Sequence, residues 1–239
     1  MSLDNIKVLG FDVFGTVVDW RTGIARESEA FFKRNAIEVD PYVFADTWRS
    51  LYQPAMEPCR RGTRQFTRLD TLHREMLITA LTSHGINQSK ISKLEIDELA
   101  FAWRKLDPWP DAVDGLLRLK KKYVLVPISN GNIALILEMA KRTGIPWDAI
   151  LGSEVTQAYK PEPLAYLGTA DILGIEPNEL CLVAAHNYDL LAAQQCGLGT
   201  AFVYRKTEHG ENQKIDLAPE GDWDLVADSF LDLAEILGC

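Results

Sequence analysis

Asp12 closes an apolar run, VLGF, and is followed at once by Phe14, Gly15 and Thr16. An aspartate there can cap the turn that follows it. Three later places in the chain repeat the arrangement of apolar residues followed by reactive groups. VPISNGN delivers Ser129 and Asn130, QAYKPEPLAY sets Lys160 directly before a proline, and VAAHNYDLLAA carries His186, Asn187 and Asp189. The proline keeps Lys160 out of the helix after it. Carboxylate, hydroxyl, amide, ammonium and imidazole groups at four such ends would need four separate explanations as turns, whereas one catalytic rim accounts for them together.

Groups this far apart meet only if the elements between them lead to a common edge. Apolar runs at 6–11, 123–128, 180–184 and 200–204 predict strands, with a shorter candidate near 149–151. Helical spacing fills the gaps: Leu116, Leu117, Leu119 and Lys120, then Leu135, Ile136, Met139 and Ala140, then Tyr166, Leu167, Ala170 and Leu173. Near-continuous apolar strands alternating with helices predict an α/β fold, a parallel sheet covered on both faces. Ligands of such sheets bind beyond the carboxyl ends of the strands. Residues 18 to about 98 interrupt the alternation with helix-like stretches alone, placing Phe31, Phe32, Trp48, Leu51, Leu69, Leu72, Met76 and Leu77 at three- and four-residue spacings. The expected organisation is a discontinuous core, 1–17 and 99–239, with an inserted helical cap domain, 18–98.

A chain of 239 residues has room for a sizeable core and a smaller second unit. Its 47% hydrophobic and 25% charged residues are those of an ordinary globular protein. The opening MSLDNIKVLG lacks a basic, then apolar, leader pattern, and no later window suggests a membrane span, so a cytoplasmic protein is expected. Cys59, Cys181, Cys196 and Cys239 are scattered without a CxxC pair and suggest neither a zinc site nor a disulfide framework. A net charge of −9 argues against nucleic acid as a partner. It leaves room for a small anion, which a few local cations can capture. The basic run CRRGTRQFTR at 59–68 is either such a cluster or a solvated helix end.

In order along the chain, DVFGTVVD at 12–19, SNG at 129–131, YKP at 159–161 and the segment ending in Asp189 resemble the haloacid dehalogenase-like hydrolase superfamily. Its signature is DxxGTxxD, a Ser/Thr-bearing strand end, a lysine and a final acidic segment. The resemblance covers essentially the whole chain. It implies a Rossmann-like core, a helical cap inserted after the first motif, and Asp12 as a nucleophile. Phosphatases of the superfamily usually carry a general-acid aspartate two residues after the nucleophile, where this chain has Phe14. They hold magnesium through a GD or DD pair where this chain has Ala184 and Ala185, and a hard cation needs anionic oxygen ligands. Displacement of halide needs neither part, because halide leaves as a stable anion. The likeness is therefore closest to the 2-haloacid dehalogenases (type II), which implies hydrolysis of short 2-haloacids to 2-hydroxyacids through an Asp12 ester, without metal or cofactor. A phosphatase and a non-catalytic binding domain on the same fold are the alternatives.

Carried over residue by residue, the resemblance implies that Asp12 attacks C2 with inversion and that Thr16 orients it. Arg49, in DTWRSLY, would contact halide and substrate; Ser129 and Asn130 would bind carboxylate and halide. Lys160 would balance the carboxylates beside the active-site tyrosine, Tyr166, with Phe66 as a hydrophobic wall and Phe14 keeping Asp12 poorly solvated. Many members have Ser and Asn where this chain has Ala184 and His186. His186 would either replace that Asn as a hydrogen-bonding group or act as the base for ester hydrolysis, a job otherwise assigned to Asp189. His73, His84 and His209 fall outside the pattern and are expected to be structural or solvent-facing. A homodimer is the family's usual state, and the apolar cap helices could supply its interface.

Overall fold

The computed structural model describes residues 5–239. Strand β1 (Val8–Phe11) is buried along its whole length because it has neighbours on both sides and helices above and below. Two residues of extended chain, β2 (Val18–Asp19), pair antiparallel with β3 (Asp107–Pro108) in a separate ribbon. The main sheet adds β4 (Val124–Pro127), β5 (Leu180–Ala184), β6 (Gly199–Val203) and β7 (Leu225–Ala227) in the order β4-β1-β5-β6-β7, every pair parallel. From β1 the chain moves to β4 on one side, then crosses back to β5 on the other, so the strand order reverses beside β1. A crevice opens at such a point. Asp12 and His186 stand at the carboxyl ends of the two strands that border it.

The helices between the ribbon strands are α1 (Trp20–Arg34), α2 (Pro41–Ser50), α3 (Tyr52–Arg60), α4 (Leu69–Ser83) and α5 (Lys93–Ala100), followed by a 3-10 turn, Phe101–Arg104. Their starts are written in the sequence. Asp19 accepts from Thr22 N, Asp40 accepts from Tyr42 N ahead of Pro41, and Ser92 with Glu95 forms a reciprocal capping box. The rest of the chain supplies α6 (Ala112–Leu119), α7 (Ile133–Thr143), α8 (Ser153–Thr156), α9 (Pro163–Leu173), α10 (Asn187–Gln195) and α11 (Phe230–Ile236).

Strand alternation divides the core between the two faces of the sheet. Leu9, Phe11, Leu125, Cys181, Val183, Ala201 and Val203 belong to one cluster with Leu116, Leu135 and Phe230 of α6, α7 and α11. Val8, Val126, Leu180, Leu182, Ala184 and Phe202 belong to the other with Ala170 of α9 and Leu190 of α10. The first cluster continues without a break into the cap helices through Phe14, Trp20, Phe31, Phe44, Trp48 and Trp103.

Two details correct the sequence expectation. The predicted strand near 149–151 is a single bridge, Ser129 with Gly152. Asp148 N bonds Leu125 O at 2.9 Å and Ser153 N bonds Gly131 O at 3.1 Å, leaving too short a stretch between them to build a ladder. Residues 18–19, expected to be part of a wholly helical stretch, are extended because Asp19 must take an extended backbone to cap α1. Among the described residues no helix is long and apolar enough to cross a membrane.

Candidate active site

Asp12 prolongs the β1 pairing by one bond, its N donating to Val183 O at 3.0 Å, and so places its carboxylate on the sheet rim. The chain then folds into a tight loop in which Val17 N bonds Val13 O at 2.9 Å and Gly15 N bonds Val18 O at 3.0 Å. Gly15 has a φ of +92°, and a Cβ there would fall 2.2 Å from Glu208 Oε1, so glycine is required on both counts. Thr16, fully buried, donates its hydroxyl to Asp12 Oδ2 at 2.7 Å and accepts from Ala185 N at 2.9 Å. Arg205 fixes the loop from behind: its Nε donates to Thr16 O at 2.8 Å while its guanidinium grips Asp111 at 2.7 and 3.1 Å.

The other oxygen of Asp12 accepts from Lys160 Nζ at 2.8 Å, and the same ammonium bonds Asp189 Oδ2. Lys160 is held in turn by its backbone N, which donates to Asn130 Oδ1 at 2.8 Å. Tyr166 donates to Asp189 Oδ1 at 2.6 Å. His186 Nδ1 lies 3.1 Å from Asp12 Oδ2, and its Nε2 lies 2.9 Å from Glu208 Oε2. Asp12, Thr16, Asn130, Lys160, Tyr166, His186 and Asp189, drawn from four parts of the chain, are therefore one hydrogen-bonded network. Ser129 adjoins it, buried, with its hydroxyl accepting from Gly131 N at 3.1 Å.

Charge follows from this geometry. Burial alone would raise the Asp12 pKa, but the Lys160 ammonium and His186 outweigh it and hold the carboxyl well below the usual carboxylate range. Burial would discharge Lys160, yet Asp12 and Asp189 push its pKa above the ordinary amine value. Asp189 is pushed up by burial and by the nearby Asp12 charge, against the pull of Lys160 and Tyr166. His186, opposed by burial, is raised well above the usual imidazole value by Glu208 and Asp12. Two anions around one imidazole favour its charged form.

Arg49 approaches from α2. Its guanidinium carbon lies 4.2 Å from the centre of the Tyr52 ring, 5.2 Å from Trp20 and 6.0 Å from Trp103. The aromatic faces attract the cation, but buried Nη1 has no hydrogen-bond partner. A buried guanidinium nitrogen left without an acceptor is costly. Phe14 packs edge-on against Trp103 at 5.7 Å, Tyr52 at 6.3 Å and His73 at 6.2 Å. Phe66 packs instead on Tyr159, at 5.2 Å, one residue before Lys160. In the basic run, Arg61 pairs with Glu57, Arg64 with Glu75 and Arg68 with Glu154; Arg60 alone reaches the network, at the Lys160 carbonyl.

Glu208, Trp20, Tyr52 and Trp103 also belong to the site, though none of them lies in the motifs that mark it in the sequence. His73 is fully buried and stacked on Trp103 at 4.4 Å; burial and then Arg49 hold its pKa well below the usual value. His84 touches Thr47 Oγ1 at 3.0 Å, and His209 lies 5.6 Å from the Trp20 ring.

A magnesium ion of the kind superfamily phosphatases use does not fit these residues. The Lys160 ammonium already lies between Asp12 and Asp189, and Ala184 and Ala185 offer no side-chain oxygen. What the arrangement can do is present a buried, ionised carboxylate as a nucleophile, next to an imidazole and below a cation with a donor to spare.

Comparison with known proteins agrees with this chemistry. The family model for haloacid dehalogenase-like hydrolases matches residues 6–197. A crystal structure of a defluorinating L-2-haloacid dehalogenase is 51% identical, with 98% of this chain and 96% of that one covered at a TM-score of 0.97. A second L-2-haloacid dehalogenase structure is 40% identical over 98% of this chain and 99% of that one, at a TM-score of 0.93. The (S)-2-haloacid dehalogenase 4A of Burkholderia cepacia is 27% identical over 91% of this chain and 90% of its own length. On the extent of the family match and on this fold, the chain belongs to the haloacid dehalogenase-like hydrolases.

Proposed function

We propose that the protein hydrolyses short 2-haloacids to 2-hydroxyacids, with Asp12 as the nucleophile and no metal ion. The observation that carries this reading is a buried carboxylate held ionised by Lys160, Thr16 and His186, with phenylalanine at the position where a leaving-group acid would stand. An oxygen of Asp12 bonds to C2 from the side opposite the halogen, the carbon–halogen bond breaks, and the halide leaves with its electron pair. Water then attacks Cγ of the ester, the bond from Cγ to the substrate oxygen breaks, and the carboxylate is restored.

Arg49 is assigned to the substrate carboxylate and the departing halide, because an anion satisfies the unpaired Nη1. Ser129 and Asn130 line the same rim and take the rest of the carboxylate. Thr16 aims Asp12, and Lys160 keeps it ionised while Tyr166 steadies Asp189. Phe14 excludes water from the cap side, and Phe66 walls the approach from Tyr159. Residues 18–98 act as the cap and the remainder as the core. A small anionic substrate calls for neither nucleic acid nor membrane, and we assign the protein to the cytoplasm, as a homodimer.

The test is to supply (S)-2-chloropropionate and p-nitrophenyl phosphate separately, each with and without EDTA, and to measure chloride and nitrophenol. Chloride release that survives chelation is expected. Nitrophenol release that EDTA abolishes and magnesium restores would replace this reading with a phosphatase.

A further inference from the structure

The displacement step leaves one buried charge without a task. Glu208, on the turn after β6, is 1% exposed, and both of its oxygens are committed. Oε1 accepts from Trp20 Nε1 at 2.8 Å, and Oε2 meets His186 Nε2 at 2.9 Å. The chain leaves room for it, since any side chain at Gly15 would collide with the carboxylate. A buried carboxylate is costly unless paired, and halide departure has no use for a base.

Resting on the function proposed above, we infer that Glu208 is a positioning residue: it holds His186 with Nδ1 turned to Asp12, so that the imidazole takes the proton of the water that hydrolyses the Asp12 ester. With Nε2–H donated to Glu208, the free lone pair is on Nδ1, 3.1 Å from the carboxylate that becomes the ester. A carboxylate fixing the tautomer of a histidine base is an arrangement known from other nucleophile-bearing hydrolases. Asp189 is placed less well for the same work. Tyr166 holds one of its oxygens and Lys160 the other, and it is fully buried.

The protons balance. In the free enzyme His186 carries a proton shared with anionic Asp12. Alkylation converts Asp12 into a neutral ester, removing one of the two charges that hold that proton, and it is lost to solvent as the acid equivalent of the overall reaction. Neutral His186 then accepts one proton of the attacking water. The other ends on the departing substrate oxygen as the Cγ–O bond breaks, which restores the Asp12 carboxylate and the imidazolium. The groups that face or influence His186 are Asp12 at the end of β1, Glu208 and His209 on the β6 turn, Tyr188 on α10, and Arg49, whose charge reaches Glu208.

The experiment is a rapid-quench single turnover of (S)-2-chloropropionate by the full chain, with chloride, lactate and the mass of the Asp12 peptide followed together. Glu208→Gln should slow lactate formation roughly 10²-fold more than it slows chloride release, the usual worth of a general base. Ester should accumulate on the Asp12 peptide. The acid limb of the hydrolysis profile should move to lower pH, because a neutral amide no longer supports the imidazolium. Glu208→Asp should recover part of the rate. His186→Asn, which leaves Glu208 bonded to Trp20, should accumulate the same ester and decides the matter if Glu208→Gln does not fold. Equal slowing of chloride and lactate in these variants, or accumulation in Asp189→Asn but in neither of them, overturns the inference. A wild-type protein that releases no chloride refutes the function instead.

Discussion

Arg49→Lys isolates what the guanidinium contributes beyond its charge. Lysine keeps the positive charge but loses the planar fork that can meet a carboxylate and a halide at once, and it loses the flat face now 4.2 Å from Tyr52. A hydrogen bond to a charged group is worth about 1.5–3 kcal/mol. Losing one such contact, together with poorer stacking in the aromatic box, gives about 3 kcal/mol, or ~10²-fold in rate. The halide gathers negative charge as it departs, so the loss should fall on kcat as well as on kcat/KM. The assay is initial-rate chloride release from (S)-2-chloropropionate across substrate concentration, with the melting temperature recorded alongside. Arg61→Lys, exposed on the cap surface, serves as the control. A folded Arg49→Lys enzyme within threefold of wild type, on the order of 0.6 kcal/mol, would remove Arg49 from the reaction.

Three further outcomes are expected. Because one displacement occurs at C2 and the second step occurs at the ester carbonyl, (S)-2-chloropropionate should yield (R)-lactate; racemic product on a chiral column would rule out backside attack. In H₂¹⁸O with enzyme in excess, label should enter the Asp12 peptide and spare the first lactate formed, and Asp12→Asn should lose activity by several orders of magnitude; prompt labelling of that lactate would mean direct attack by water. Stability should also depend on pH in a defined direction. Asp12 and Glu208 are held low, so their contribution is present at neutral pH and is lost as pH falls through their folded values. His186 is held high, so its contribution is complete below the ordinary imidazole value of 6.5 and is lost as pH rises through its folded value. Melting temperature should decline on the alkaline side, and His186→Asn should flatten that decline; an identical alkaline slope in the variant would place the responsible charge elsewhere.

Asp12, Lys160, His186 and Asp189 could be picked from the sequence because parallel strands deliver their ends to one edge, and that edge is marked wherever an apolar run gives way to reactive groups. Glu208 obeys the same rule. It follows TAFVY, itself read as a strand, but three intervening residues and a turn hid the connection. The aromatic box was hidden for a different reason. Trp20, Tyr52 and Trp103 have the spacing of buried helix positions, and periodicity reports that a side chain is covered without saying what covers it. Tyr52 stands three residues from Arg49, but that Arg49 also lies near Trp20 and Trp103 is a tertiary fact, set by how α1, α2 and the 101–104 turn pack. Phe66 is a further case, since its position in the family pattern does not say that its ring turns to Tyr159.

The small ribbon of β2 and β3 gives the fold a modularity that its length does not suggest. Val18 faces Pro108 and Asp19 faces Asp107, so the chain leaves the sheet and returns to it through adjacent residues. Everything between behaves topologically as one long hairpin loop, and the entropic cost of closing a loop grows only slowly with its length. Helices can be lengthened, exchanged or shortened inside that loop without disturbing the register of β1 against β4 and β5. The strand that carries Asp12 is thereby separate in sequence from the segment that carries Arg49, and the two meet through side chains such as Trp20, which reaches Glu208. A foreign helical segment set between residues 19 and 107 would have to keep Trp20, Tyr52 and Trp103, which contact Glu208, Arg49 and Phe14 in turn.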